Sequence, residues 1–173
     1  ITGAMVGVAG TILARGAEGV QGGRVLISST DKTVVTSDSV IDTSGVGNSS
    51  AGNVVVWSEK NTMFGGTILA QGGALGGNGG NIEVSGHENL GFFGQVNALA
   101  PKGVTGTLLL DPLTITVATG GGATLVQVDQ FSDTPAVAQT IDPATINAAA
   151  ANVTLQANND ITVTNAITMT NNG

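Results

Sequence analysis

The chain has 173 residues, 41% of them apolar and 10% charged, with a net charge of −7. That length can bury a core, and the apolar share excludes a chain left disordered for want of hydrophobic residues. The five basic side chains, Arg15, Arg24, Lys32, Lys60 and Lys102, are scattered and argue against a nucleic-acid partner, while the lack of cysteine excludes disulfides, thiolate zinc sites and iron–sulfur clusters.

The first fourteen residues, ITGAMVGVAGTILA, carry no side-chain charge. They are too short to span a bilayer and lack the basic start of a signal peptide, so they read as strand. A first residue of Ile1 rather than Met fits a processed, trimmed or bounded chain. GGRVLIS at 22–28 then opens a pattern of glycine followed by x-apolar-x-apolar. The pattern returns as AGNVVVWS at 51–58, GGNIEVS at 79–85 and TGTLLLD at 105–111. The glycines before these strands are Gly23, Gly52, Gly80 and Gly106, in steps of 29, 28 and 26 residues. The paired apolar positions are Val25/Ile27, Val54/Val56, Ile82/Val84 and Leu108/Leu110. A second series in the same phase starts from Ile12, Ile41, Ile68 and Val96, and a third is Val35, Phe64 and Phe93.

Three strand series sharing a period of about 28 residues describe a coil with three short strands and three corners. Alternation sends every second side chain inward, so each series stacks one residue type on itself. The AQGGALGGNGGN stretch at 70–81 becomes a corner, where glycine supplies positive φ and small bulk, and not a linker. Arg24, Asn53, Glu83 and Thr107 fall outward, as do Leu26, Val55, Leu109 and Trp57.

The period breaks after Asp111. TITV at 114–117 reads as the third strand of that coil. TLVQV at 124–128 reads as a strand and SDTP at 132–135 as a turn. Asp142 is an N-cap, Pro143 sits at N1, and alanines carry a short helix to about Ala151. This helix is expected to cover outward apolar residues such as Leu109. Strands resume at 152–157, 160–164 and 166–170, with turns at Asn158-Asn159 and Asn165. Leu110 and Leu155 are 45 residues apart, too far for one coil, so the segment between is an excursion. The fold class is all-β: a right-handed parallel β-helix, or β-solenoid, interrupted by an excursion with one short helix. It is one continuous domain, with coils over 1–117, the excursion over 118–151 and resumed strands over 152–173.

GNVVVWS followed by F-x-G, then GTILAQGG, GGNIEVSG and GTLLLDPLTITV, resembles the filamentous-haemagglutinin-type exoproteins of two-partner secretion. DPATINAAAANVTLQANNDITVTNAI at 142–167 resembles the segment that follows in that family. The likeness runs from about Gly10 to Ile167. It implies a long right-handed β-helical adhesin, exported through an outer-membrane transporter partner, with a shaft that is not an enzyme. The family's N-terminal secretion domain is not visible in these residues, so the chain reads as a shaft segment, secreted or at the cell surface.

No residue is assigned a catalytic, cofactor-binding or metal-ligating role. His87 in SGHEN reads as a surface residue at a corner, and a Ser85–His87–Asp arrangement has no second feature behind it. The glycine runs lack the aspartates of a calcium-binding repeat and the Lys and Ser/Thr of a phosphate loop. The closest acid pairs, Asp38/Asp42 and Asp129/Asp133, read as solvated corner charges. Thr11 and Thr67 align as in an ice-binding ladder, but Val40 and Gln95 interrupt them, leaving Thr154, Thr162, Thr164, Thr168 and Thr170 as its remnant. The expected function is a rigid shaft for attachment or self-assembly; the alternative is a carbohydrate-binding or carbohydrate-cleaving β-helix. Expected partners are flanking coils or further copies end to end, and host-cell or surface glycans. No capping coil is visible at either end, which fits a piece of a longer rod or a stacking subunit.

Overall fold

A computed structural model describes residues 1–120 and 140–169. It is a parallel β-solenoid, in which strands pair with the coils above and below rather than with their chain neighbours, the strands over 115–117 and 140–141 excepted. The first wall stacks the first half of β3 (Arg24–Val35), β5 (Asn53–Ser58), β8 (Asn81–Gly86), β11 (Thr107–Leu110) and β14 (Asn152–Leu155). The second stacks β1 (Thr2–Val8), the other half of β3, β6 (Asn61–Phe64) and β9 (Asn89–Phe92). The third stacks β2 (Thr11–Leu13), β4 (Val40–Asp42), β7 (Thr67–Leu69) and β10 (Gln95–Asn97). β3 turns the corner between two walls without leaving the ladder, pairing with β5 through Ser29 and with β6 from Lys32.

The first-wall register is the one expected. Val25 pairs with Val54, Val54 with Ile82, Ile82 with Leu108 and Leu108 with Val153. Ile27, Val56, Val84, Leu110 and Leu155 form the parallel column. From Val25 to Leu110 these residues are 0–7% exposed and belong to one interior cluster. Each such side chain contributes about 1.5–3 kcal/mol by leaving water, and β-branched side chains fit the half-buried pleat. The third wall also follows the expected series, with Ile12 on Ile41, Ile41 on Ile68 and Ile68 on Val96. The 45-residue gap on the first wall closes in register, Leu110 on Leu155.

The third series is corrected by one residue. Phe64 pairs with Phe92, not Phe93, and the two rings stack 5.6 Å apart at 11°. Phe93 points outward and packs with Val34 and Met63 as a small external cluster. It lies back over Gly91, where an added Cβ would be 2.6 Å from its ring. The corner before β7 is two residues shorter than the one before β4, and the corner before β8 is one residue longer than the one before β5, so the wall-two step here is 28 and a 29-residue step selects the wrong face.

The glycines of the 70–81 corner also act differently from expectation. Only Gly77 there has positive φ. Gly23, Gly52, Gly80 and Gly106 form a column in which a Cβ on Gly52, Gly80 or Gly106 would overlap the carbonyl oxygen of the glycine one coil earlier. Glycine is required by backbone stacked directly on backbone.

The later part departs most from a plain stack. TITV does form a strand: β12 (Ile115–Val117) follows β11 after one corner, on the second-wall side of the coil. It pairs on one edge with β13 (Thr140–Ile141) and on the other with β15 (Ile161–Val163). β13 in turn contacts β9, which places it between β9 and β12. Helix α1 (Pro143–Asn147) has the expected N-cap, Asp142, whose Oδ1 accepts from Ala144 N at 2.8 Å. It ends at Asn147 rather than Ala151, because Ala150 is drawn into the third wall as a bridge to Asn97. It does not cover Leu109: Ile146, 2% exposed, points into the solenoid interior, while Leu109 lines an open groove. Residues 166–169 are not strand; Thr168 N instead donates to Asn147 Oδ1 at 2.7 Å. The strand expected at 124–128 and the turn at 132–135 lie outside the described residues, as does Thr170.

Candidate functional site

Among the described residues the inward columns form a buried apolar cluster, and two open grooves lie on the outer faces of the walls. On the first wall, alternation sends Arg24, Asn53, Asn81 and Thr107 outward in one column, and Leu26, Val55, Glu83 and Leu109 in the next. The columns border a shallow groove of about 370 Å³ running across the coils. Its polar side is a ladder: Asn81 Nδ2 donates to Asn53 Oδ1 at 3.4 Å, and Thr107 Oγ1 to Asn81 Oδ1 at 3.0 Å. Its other side is apolar apart from Glu83, which accepts from Ser85 Oγ at 2.9 Å. Arg24 and Glu83 bring opposite charges. The groove therefore presents amide and hydroxyl groups at about 4.8 Å intervals on a rigid support, beside an apolar strip. Trp57 lies further along the same face, half-buried between Ser28 and Ser85 of the adjoining coils.

A second groove of about 400 Å³ lies outside the third wall, lined by Arg15, Asp42, Ser44, Gln71 and neighbours. Asp42 is not a solvated corner charge, because it is 8% exposed on β4. Its Oδ2 lies 3.4 Å from Arg15 Nε, and its Oδ1 accepts from Ser44 N at 2.9 Å. These contacts give both oxygens of the enclosed carboxylate a partner. Asp38 is exposed and accepts from Thr36 Oγ1. Asp129 and Asp133 lie outside the described residues.

The side chain of His87 is exposed at its corner, where its backbone N–H donates to Ser58 O at 3.0 Å. Ser85 Oγ is bonded to Glu83, so the structure does not bring Ser85 and His87 together as nucleophile and base. Among the described residues no group of three or more His, Asp or Glu could hold a metal ion. The threonine column reads as expected, Thr11–Val40–Thr67–Gln95, and is broken. On the surface, Lys60 Nζ donates to Asp31 Oδ1 at 3.0 Å; this bond, and then the attraction of the same carboxylate, raises the Lys60 pKa.

Sequence reasoning missed two ladders. Asn53/Asn81 and Asn61/Asn89, the latter bonded at 2.8 Å, repeat at 28 residues, and that spacing was the available signal. It also missed the inward hydroxyls at the corner of β3. Ser29 Oγ donates to Ser58 Oγ at 3.0 Å and Thr62 Oγ1 to Ser85 O at 2.6 Å, satisfying polar groups that would otherwise be stranded. No protein-family model matches the chain, and no curated protein matches it in sequence.

Proposed function

We propose that this chain is a structural segment of a bacterial extracellular adhesin or fibre, a β-helical shaft whose role is to hold distance and stiffness. One observation carries the reading: the paired inward columns from Val25/Ile27 to Val153/Leu155 continue in register across every first-wall strand, through the 45-residue gap. Such a stack extends by adding coils, each needing only its neighbours. The motifs GTLLLDP and TINAAAANVTLQANNDITV add the resemblance to filamentous-haemagglutinin-type exoproteins. On that reading the chain is secreted or displayed at the cell surface, leaves through an outer-membrane transporter, and meets flanking coils or further copies of itself. Its shaft performs no catalysis. The test is to express the complete gene in its host with and without the neighbouring transporter gene. Appearance of the shaft outside the cell only with the transporter supports the reading; retention in both cases, or release in both, overturns it.

The groove on the first wall favours a second reading, a carbohydrate-binding or carbohydrate-cleaving β-helix. Its amide ladder beside an apolar strip suits the hydroxyls and ring faces of host-cell or surface glycans. Calorimetric titration of neutral oligosaccharides into the wild type and Asn81→Ala discriminates. Binding lost in the variant favours this reading, whereas no heat in either removes it.

A further inference from the structure

In a plain solenoid every strand rests on one laid down earlier in the chain. β12 breaks that order. Its lower edge rests on Thr140 and Ile141, which follow it in sequence, while its upper edge carries β15. Between β8 and β14 the first wall holds β11 alone, whereas between β9 and β15 the second holds both β13 and β12. The second wall is thus one strand ahead, and the returning chain fills the extra level.

We infer that residues 140–150 are a latch, pinned by Asp142, whose closing makes the coils above Asn97 one cooperative unit that opens separately from the coils below. Until β13 arrives, the lower edge of β12 has no partner for its backbone groups, a condition that folded chains avoid. Once it arrives, Ala118 N donates to Ile141 O at 3.2 Å, and Ile141 and Ile146 are each 2% exposed within the core. Asp142 joins the two ends of the detour. Its Oδ2 accepts from Gly120 N at 2.9 Å, and its Oδ1 caps α1 at Ala144 N at 2.8 Å. The latch then reaches the third wall, where Ala150 N donates to Val96 O at 3.0 Å and Ala98 N to Ala150 O at 2.8 Å. Asn147 Oδ1 holds the chain beyond β15 through Thr168 N at 2.7 Å. Losing the latch removes support from β12, and through it from β15, but leaves the pairing of β3, β5 and β8 untouched. Units of this kind open at their own free energy, below that of global unfolding.

Native-state hydrogen exchange on the full chain tests this with Asp142→Ala. The amides of Ala118, Ala150 and Thr164, all bonded across the latch or above it, should exchange faster by one common factor of about five- to ten-fold, the loss expected for a helix cap and its companion bond. The amides of β5 should not change. Acceleration confined to residues 144–148, an equal acceleration in β5, or no acceleration overturns the latch. Asp142→Asn, which keeps a capping oxygen but loses the second acceptor facing Gly120, should give the same set of amides a smaller common factor, and it carries the test should the alanine variant fail to fold.

Discussion

Phe92→Ala and Phe93→Ala are neighbouring substitutions with very different expected costs. Phe92 is 2% exposed, and its ring stacks on Phe64 at 5.6 Å inside the solenoid. Truncating such a side chain removes its transfer free energy and leaves a cavity between fixed walls, a loss of about 3–5 kcal/mol. Phe93 is only partly buried against Val34 and Met63 on the outside, and its neighbours can close over the gap. It should lose about 1–2 kcal/mol. For a chain of this size each kcal/mol moves Tm by about 2–4 °C. Phe92→Ala should therefore lower Tm by about 6–20 °C and Phe93→Ala by about 2–8 °C, read by calorimetry or far-ultraviolet circular dichroism. A double-mutant cycle between Phe64→Leu and Phe92→Leu should add a coupling of about 0.5–1.5 kcal/mol. If Phe93→Ala is as damaging as Phe92→Ala, or if the coupling falls on Phe64 and Phe93, the inward column is misassigned and the second-wall register is wrong.

Ile82→Asp would place an unpaired carboxylate at a position 1% exposed between Val54 and Leu108, costing several kcal/mol, on the order of the whole stability of a domain. Glu83→Lys, one residue on and facing the groove, should change the urea midpoint by no more than about 1 kcal/mol equivalent; matching effects of the two would mean the walls are turned inside out. Gly52→Ala forces a methyl group onto the Gly23 carbonyl and should cost about 1–3 kcal/mol or more. Gly10→Ala has open space around it and should lose only the roughly 1–2 kcal/mol of a left-handed residue at φ 85°. Thermal melts that rank Gly10→Ala as the worse of the two would show that close stacking of the coils is not what requires Gly52.

Much of the solenoid is legible in the residues because its determinants are local and periodic. Alternating Val, Ile and Leu after a glycine specify an inward face, and recurrence at 26 to 29 residues specifies what stacks on what. Asp142 followed by Pro143 specifies a helix start by the chemistry of its own first turn, and the structure places it there. These features need no knowledge of distant parts of the chain. Of the first-wall groove, the outward residues were legible from the same alternation. Their joining into an amide ladder was not, since that depends on two asparagines meeting across a coil.

Tertiary structure alone decided three matters. Phe92 rather than Phe93 faces inward because the corner lengths, not the hydrophobicity of two adjacent and identical residues, determine which of them meets Phe64. Asp42 is enclosed because Arg15, from the preceding coil, lies within reach of it. The order β13–β12–β15 in the second wall rests on a two-residue strand with no pattern of its own, which pairs where an edge is open rather than where chain order would place it. A sequence period records which residues can face the core; which free edge a returning strand finds is decided only when the whole stack is present.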